Sequence, residues 1–271
     1  MQIRDRVAVI TGAGGGIGQA TARALAEQGI KAMALVDRSD EVEHVAAQVN
    51  DVIGRKIARP FVGDVTDAAF RRKTYDAISA ENGPVGICVP AAGITRDALA
   101  VKLDKQTGHA ALYPEERFGE VMDVNLKSAV YWALELVGRV AEDRQSRGAG
   151  RWKPTDELEG TIIFIGSVSS LGNKGQIAYA ATKAGLEGAA ATMMKEGMFY
   201  GIRCAVIHPG FTDTPMVRAL GEEYIAQHIL PYTQLGRLIR PDEIANAICF
   251  MISNSAVSGE LWADAGWHPR A

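Results

Sequence analysis

Apolar runs alternate with amphipathic stretches along most of this chain. Most runs are apolar at consecutive positions rather than at every second position, which is typical of strands that are covered on both faces. The predicted strands span residues 7–11, 32–37, 58–62, 86–89, 161–165, 203–208 and, near the end, 260–263. The predicted helices span residues 16–28, 41–52, 68–81, 115–141, 178–199 and 242–251. This alternation predicts an α/β fold with a doubly wound parallel sheet of about seven strands and helices on both faces.

Two polar stretches interrupt this rhythm. Residues 103–116 contain Gly and Pro and are interpreted as a loop, whereas residues 143–160 are charged and lie between a helix and a strand. Both are interpreted as excursions from one domain rather than as linkers between two. The sequence therefore predicts a single domain over residues 1–271.

Composition narrows the function classes. Hydrophobic residues make up 47% and charged residues 23%, as in ordinary globular proteins, and the net charge of −3 argues against a nucleic-acid partner. The absence of a leader-like start and of a membrane-length apolar stretch predicts a cytoplasmic protein with no membrane partner. Three separated cysteines, Cys88, Cys204 and Cys249, fit core positions, and no metal-type spacing is present, so no metal is predicted.

A glycine-rich turn joins the first predicted strand to the first predicted helix. Glycine permits close backbone approach, and the helix start directs free N–H groups and a positive dipole end into the turn. A pyrophosphate fits that environment, and the strand–turn–helix–strand context is the one that dinucleotide binding requires. The residues assigned to cofactor binding here are Thr11, Gly12, Gly14, Gly15, Gly16, Ile17 and Gly18.

The ends of the next two strands carry carboxylates. Asp37 can accept hydrogen bonds from both ribose hydroxyls and would repel a 2′-phosphate, which favours NAD(H). The neighbouring Arg38 could partly offset this repulsion, so NADP(H) stays the alternative. Asp64, together with the N–H of Val65, is assigned to the adenine. Either aspartate could instead cap the following helix.

The stretch QIAYAATKAG places Tyr179 and Lys183 four residues apart, on one face of a predicted helix. A nearby cation lowers the pKa of a phenol from its ordinary value near 10, so the tyrosine could exchange a proton with a substrate oxygen. Ser167, just past the fifth strand, could hydrogen-bond the same oxygen, with Ser169 as a rival. Each residue alone fits a structural role better. Their joint occurrence behind a dinucleotide turn favours catalysis.

Several motifs together resemble the short-chain dehydrogenase/reductase family. They are TGAGGGIG (residues 11–18), Asp64, PAAG (90–93), Asn125 in DVNL, Ser167, the Tyr179–Lys183 pair and HPGFTDT (208–214). AAGITRDAL, GNKGQIAYAATKAG and PGFTDTPM are most similar to the 3-oxoacyl-[acyl-carrier-protein] reductase branch. The chain departs from the family in PAAG, where NNAG is usual.

The resemblance implies a single-domain Rossmann fold. It also implies further roles and residues for the cofactor and catalytic site. It implies that Asn125 orders a water leading to Lys183, and that Lys183 also donates to the nicotinamide ribose. It adds a lid at about residues 211–232 and a homotetramer, with a dimer as the alternative. It adds to the cofactor site Ala91, Ala92, Gly93, Pro209, Gly210, Thr212 and Thr214.

These observations predict an NAD(H)-dependent oxidoreductase that transfers hydride between nicotinamide and a secondary alcohol or ketone, with hydroxyacyl and 3-oxoacyl compounds included. The first alternative is an NADPH-dependent 3-oxoacyl-[acyl-carrier-protein] reductase. Those reductases often carry an arginine where this chain has Phe199 and Tyr200, and Asp37 disfavours NADPH. The second alternative is a non-catalytic dinucleotide sensor on the same fold.

Overall fold

A parallel sheet of seven strands runs through the centre of the structure, a computed structural model that describes residues 1–267. The last four residues of the predicted domain lie outside the described part. The strands are β1 Val7–Thr11, β2 Ala32–Asp37, β3 Ala58–Val62, β4 Val85–Pro90, β5 Val101–Leu103, β6 Ala110–Leu112, β7 Gly160–Ile165, β8 Ile202–Pro209 and β9 Gly259–Ala263. The large sheet has the order β3-β2-β1-β4-β7-β8-β9 with every pair parallel, which confirms the predicted fold class.

Helices cover both faces of this sheet. They are α1 Gly16–Glu27, α2 Glu41–Ile53, α3 Ala68–Asn82, α4 Glu115–Met122, α5 Ala129–Ser146, α6 Ile177–Glu196, α7 Pro215–Arg218, α8 Glu222–His228 and α9 Pro241–Ser253. Short 3₁₀ segments lie at Val168–Leu171, Gly197–Tyr200 and Leu230–Tyr232. No helix among residues 1–267 is long and apolar enough to cross a membrane.

Alternate side chains of each central strand enter two separate cores. Along β1, Ala8 and Ile10 join the core with α1, α2 and α9, whereas Val7 and Val9 join the core with α3, α5 and α6. A strand buried on both faces needs apolar residues at consecutive positions, which explains the uninterrupted apolar runs. Strands β2 and β3 are added on one side of β1, whereas β4 and the later strands are added on its other side, so the strand order reverses at β1. A crevice opens at such a point, beyond the carboxyl ends of the strands.

The predicted helix over residues 115–141 is wrong as a continuous α-helix. It is interrupted by a π-helical turn at Asp123–Ser128, between α4 and α5. Within that turn, the buried Asn125 uses its amide oxygen and nitrogen to bind the backbone of Ile94. A π turn presents one residue away from regular helical register, and such turns are frequent at functional sites.

The prediction of a loop at residues 103–116 is also partly wrong, because this range contains the end of β5, the turn of a β-hairpin and all of β6. Strands β5 and β6 pair antiparallel, with Leu103 opposite Ala110. The turn between them is held by Asp104, whose Oδ1 accepts hydrogen bonds from the N–H groups of Gln106 and Thr107, both at 2.8 Å. Gly108 completes it at φ +71°. The two strands are only three residues long and flank a polar turn, so the sequence pattern of this region is that of a loop.

The second excursion, residues 143–160, stays on the surface as predicted, but it is anchored. Arg144 is only 2% exposed, and its guanidinium donates to Asp156 at 3.0 Å, Glu159 at 2.8 Å and the Gly150 carbonyl at 3.1 Å. A buried guanidinium needs this number of acceptors. The segment therefore folds back on the end of α5.

Candidate active site

A cavity of about 560 Å³ opens at the carboxyl edge of the sheet. Most residues predicted to bind a cofactor line it: Gly12, Gly15, Gly16, Ile17, Gly18, Asp37, Arg38, Asp64, Val65, Ala91, Ala92, Gly93, Tyr179, Lys183 and Thr214. Thr11, Gly14 and Asn125 do not line the cavity but support residues that do. Pro209, Gly210 and Thr212 line a second cavity described below.

The glycine turn packs directly against the residues that follow β4. A Cβ on Gly12, which has φ +66°, would lie 2.7 Å from the backbone nitrogen of Ala92. A Cβ on Gly18 would collide with the carbonyl oxygen of Gly12. Thr11 accepts a hydrogen bond from the N–H of Ala92 at 3.1 Å, so its hydroxyl ties β1 to the PAAG segment. Glycine is therefore a steric requirement at positions 12 and 18.

Asp37 is fixed at the edge of the cavity. Its Oδ2 accepts from the N–H of Gly14 at 2.9 Å, and its Oδ1 accepts from the N–H of Ser39 at 3.0 Å. Helix α2 begins after Asp40, so the interpretation of Asp37 as its N-cap is wrong. Asp37 and the neighbouring Arg38 both line the cavity.

Asp64 does not cap a helix either. Its Oδ1 accepts from the N–H and the hydroxyl of Thr66, both at 2.8 Å, whereas α3 is capped by Asp67. The neighbouring Val65 is held from behind, since its carbonyl accepts a hydrogen bond from the indole of Trp132 at 2.9 Å. This contact fixes the cavity wall to α5.

Tyr179 and Lys183 lie near the start of α6 and both line the cavity. Lys183 is 5% exposed, and its ammonium donates to the carbonyl oxygen of Ile165 at 2.7 Å. Its Nζ lies 5.4 Å from the centre of the Tyr179 ring. Ser167 hydrogen-bonds the Tyr179 side chain, and its Oγ accepts from the N–H of Ser169 at 3.1 Å. The serine that meets the phenol is therefore Ser167 rather than its rival.

The predicted lowering of the tyrosine pKa is wrong. Burial raises the pKa of Tyr179 to about 12, and the hydrogen bond from Ser167 offsets only part of that rise. Burial also lowers the pKa of Lys183 to about 8. Both shifts disfavour the charged form, because partial or full removal from water costs a charged group more than a neutral one.

The buried ammonium gives a prediction for stability against pH. Because the pKa of Lys183 falls from 10.5 to about 8 on folding, the folded chain binds fewer protons than the unfolded chain between these values. The buried Lys183 ammonium therefore destabilises the folded chain fully below about pH 8, and this destabilisation is lost as the pH rises toward 10.5. We expect Lys183→Met to raise the free energy of unfolding relative to the wild type most strongly below pH 8. This gain in stability should become smaller as the pH rises above 8.

Urea denaturation of the cofactor-free protein at several pH values from neutral to alkaline measures this trend. The exposed Lys195, on the same helix, provides the control Lys195→Met, which should show no such trend. A benefit from Lys183→Met that is constant with pH would contradict the prediction.

A smaller cavity of about 140 Å³ adjoins Tyr179 and Ser167. Apolar side chains of Phe211, Val217 and Leu220, all within the predicted lid, line one part of it. Asp97 and Gln176 line another part and are joined by a 2.9 Å hydrogen bond. Sequence reasoning missed this polar pair, which two distant segments contribute.

The lid threonines hold the segment that follows β8. Thr212 is 3% exposed and donates to the carbonyl of Gly210 at 3.0 Å. Thr214 caps α7, and its methyl lies against Gly16 of the glycine turn. The lid segment therefore contacts the rim of the larger cavity through Thr214.

The chain is similar to known dehydrogenases and reductases. A family model described as short chain dehydrogenase matches residues 6–225. The 3-oxoacyl-[acyl-carrier-protein] reductase FabG of Escherichia coli (strain K12) is 34% identical over 263 residues, 96% of each chain. The acetoacetyl-CoA reductase of Synechocystis is 33% identical over 270 residues, 98% of this chain and 97% of that protein. A crystal structure of a short-chain type dehydrogenase/reductase from Mycobacterium marinum matches with TM-score 0.81 and 26% identity, covering 98% of this chain and 96% of that one.

Proposed function

Because the chain belongs to the short-chain dehydrogenase family, and is therefore an oxidoreductase acting on alcohol or keto groups, we propose that it transfers hydride between NAD(H) and a secondary alcohol or ketone of the hydroxyacyl or 3-oxoacyl type. The observation that carries the proposal is the position of Tyr179, which lines both the larger cavity and the smaller one beside it. The phenol thus stands where a cofactor cavity and a substrate cavity meet. The alternative of a non-catalytic sensor is not supported by this family membership.

The larger cavity fits a nicotinamide dinucleotide, the cofactor class of this family. Its volume lies within the range of ordinary ligand sites. Close packing of the turn against backbone at Gly12 and Gly18 shapes its wall, and nothing lies within 4 Å of a Cβ on Gly15, so the space beside the turn is open to a ligand. Bound nicotinamide supplies or accepts the hydride, and the remaining chemistry belongs to protein side chains.

In the direction of reduction, the phenol of Tyr179 gives its proton to the carbonyl oxygen as that oxygen gains charge. The hydroxyl of Ser167 donates a hydrogen bond to the same oxygen. The ammonium of Lys183 stabilises the phenolate that remains. In the direction of oxidation, the same phenolate takes the proton back. A pKa of about 12 favours the protonated phenol before reduction, and the cation favours its ionisation afterwards.

Asn125 is proposed as a positioning residue and as the anchor of an ordered water near Lys183. Its amide oxygen accepts from the N–H of Ile94 at 2.8 Å, and its amide nitrogen donates to the carbonyl of Ile94 at 2.9 Å. The side chain thereby fixes the irregular segment that follows PAAG. A Cβ at Gly93 would lie 3.5 Å from the Asn125 oxygen and 3.9 Å from the Lys183 nitrogen, so these groups face the same small space.

The remaining cofactor contacts are proposals of the same kind. The N–H groups of the glycine turn would hold the pyrophosphate, Asp64 and Val65 the adenine, and Thr212 and Thr214 the carboxamide and phosphate. Residues 211–232 would close over the substrate. This segment contains α7, α8 and a 3₁₀ turn, and its apolar side chains form a small cluster together with Leu238, just beyond it.

A substrate panel tests the proposed function. Purified protein is mixed with NAD⁺ and secondary alcohols or 3-hydroxyacyl-CoA esters, and with NADH and ketones, sugars or acetoacetyl-CoA, while nicotinamide absorbance is followed. We expect turnover with thioester or ketone members of the panel. Bound cofactor without any turnover across the panel would contradict the proposal.

Asp37 should make NADH a better substrate than NADPH. Replacement by serine removes the negative charge that opposes a 2′-phosphate, so the ratio of kcat/KM for NADPH to that for NADH should rise about tenfold, equivalent to about 1.4 kcal/mol. The matched control is Asp40→Ser, because Asp40 is exposed and its side chain makes no cap hydrogen bond. A wild-type protein that clearly prefers NADPH would overturn the NAD(H) assignment.

The second candidate, an NADPH-dependent 3-oxoacyl-[acyl-carrier-protein] reductase, is favoured by the similarity to FabG over nearly the whole chain. Comparing acetoacetyl-CoA with an acetoacetylated acyl carrier protein separates the two. A kcat/KM much higher for the carrier-bound substrate, together with a preference for NADPH, would establish this alternative.

We further propose a cytoplasmic homotetramer, with a dimer as the alternative. Exposed apolar side chains on α5 and α6, Tyr131, Leu134 and Ile177, support association through these helices. Light scattering of the purified protein distinguishes a tetramer, a dimer and a monomer.

A further inference from the structure

We propose that Glu187, His208 and Glu260 form a binding site for a divalent transition-metal ion, of which Zn²⁺ is the best fit. The three residues come from α6, β8 and β9 respectively. One donor atom from each, an imidazole nitrogen or a carboxylate oxygen, lies within 4.8 Å of the other two. This site is separate from the proposed cofactor and substrate cavities, neither of which these residues line.

The burial of His208 is the first argument. Its side chain is 0% exposed, and its Nε2 has no hydrogen-bond partner among the described residues. Glu187 Oε1 is likewise buried and without a partner. Buried polar atoms are almost always satisfied, so two unsatisfied atoms that face each other indicate a missing ligand between them.

Charge is the second argument. Nε2 of His208 lies 3.4 Å from Glu260 Oε2 and 3.8 Å from Glu187 Oε1. Within residues 1–267, no Lys or Arg side chain forms an ion pair with either glutamate. Lys183, one helical turn before Glu187, donates to a backbone carbonyl instead. Two carboxylates beside one imidazole are therefore balanced best by a divalent cation.

The orientation of the imidazole is the third argument. The ring is stacked on Trp262, with centres 4.1 Å apart, which fixes its plane. Its Nδ1 lies 3.2 Å from the carbonyl oxygen of Ser167 and 3.3 Å from the backbone nitrogen of the same residue, so the backbone can partner Nδ1 with or without a proton. In the tautomer that carries the proton on Nδ1, this N–H donates to that carbonyl and the lone pair of Nε2 points at the carboxylates. A second-shell hydrogen bond to a backbone carbonyl is the usual arrangement of a metal-binding histidine.

The distances suit Zn²⁺. Bonds of about 2.0–2.2 Å to nitrogen and oxygen in tetrahedral geometry place neighbouring donors about 3.4 Å apart. The pair of His208 and Glu260 already meets this value, and the pair of His208 and Glu187 exceeds it by a few tenths of an ångström. The glutamate side chains are 28% and 43% exposed, so they can close around an ion that enters from solvent, and water can complete the coordination.

Isothermal titration of untagged, chelator-treated full-length protein with Zn²⁺, in excess Mg²⁺, tests the site. We expect saturable binding of about one ion per chain. Glu187→Gln and Glu260→Gln should each weaken it by at least the roughly 10- to 100-fold that loss of an outer-shell partner costs. The exposed Glu196, on the same helix as Glu187, provides the control Glu196→Gln, which should bind like the wild type.

Co²⁺ provides a second measurement in the same proteins. Bound to three protein donors and water, it should show visible absorption bands that Glu260→Gln abolishes and Glu196→Gln retains. No saturable Zn²⁺ binding, or binding that survives both glutamine variants, would overturn the proposal. Loss of binding when Mg²⁺ is added would overturn the assignment to a transition metal. Circular dichroism confirms that each variant is folded.

Discussion

Tyr179→Phe should lower kcat by roughly 10²- to 10⁴-fold, the usual contribution of a general acid–base. The substitution removes the phenol hydroxyl, the proposed proton donor to the substrate oxygen, and leaves the ring in place. Ser167 would still donate a hydrogen bond, and the larger cavity would keep its other lining residues. We therefore expect KM for NADH to change little while turnover nearly vanishes.

Stopped-flow fluorescence of NADH binding and steady-state assays measure the two effects separately. Tyr131→Phe is the matched control, because Tyr131 is 48% exposed on α5 and does not line either cavity. Wild-type turnover in Tyr179→Phe would exclude Tyr179 as the proton donor. Loss of NADH binding in that variant would instead show that the phenol holds the cofactor.

Trp132→Ala should lower the free energy of unfolding by about 3–5 kcal/mol, as expected when a large buried side chain is removed. Trp132 is fully buried in the core between the sheet and α5. Its ring contacts those of Phe70 and Tyr75, with centres 6.3 and 5.8 Å away. Because its indole also holds the carbonyl of Val65, cofactor affinity should fall together with stability.

Urea denaturation and NADH titration measure these two effects of Trp132→Ala. Trp132→Phe retains most of the buried ring but leaves the carbonyl of Val65 unsatisfied, so its cost should be smaller, about 1–3 kcal/mol. Val52 is 80% exposed on α2, and Val52→Ala should change stability by no more than about 0.5 kcal/mol. A loss from Trp132→Ala as small as that of Val52→Ala would contradict the packing account.

The sheet could be predicted from the sequence because its signal is local. A central strand such as β8 needs apolar residues on both faces, so its apolar run marks its place directly. The glycine turn is predictable for a similar reason, since close packing at Gly12 and Gly18 excludes every side chain. Tyr179 and Lys183 came together because both belong to one helix.

The features that the sequence did not reveal depend on contacts between distant segments. The π turn at Asn125 satisfies the backbone of Ile94, which lies 31 residues earlier. The spacing of apolar residues along a helix does not predict a contact between segments so far apart in the sequence. The direction of the Tyr179 pKa shift depends on burial, which the spacing to Lys183 does not specify. Likewise, His208 meets its two glutamates only after three elements have packed together.

The π turn at Asp123–Ser128 also has a consequence for how this protein can change. One extra residue rotates everything beyond it by about 100° around the helix axis. Shortening the turn by one residue would restore an unbroken α-helix, but it would swing Asn125 away from Ile94 or turn Trp132 out of the core. The number of residues between Asn125 and Trp132 is therefore fixed by the contacts that these two side chains make.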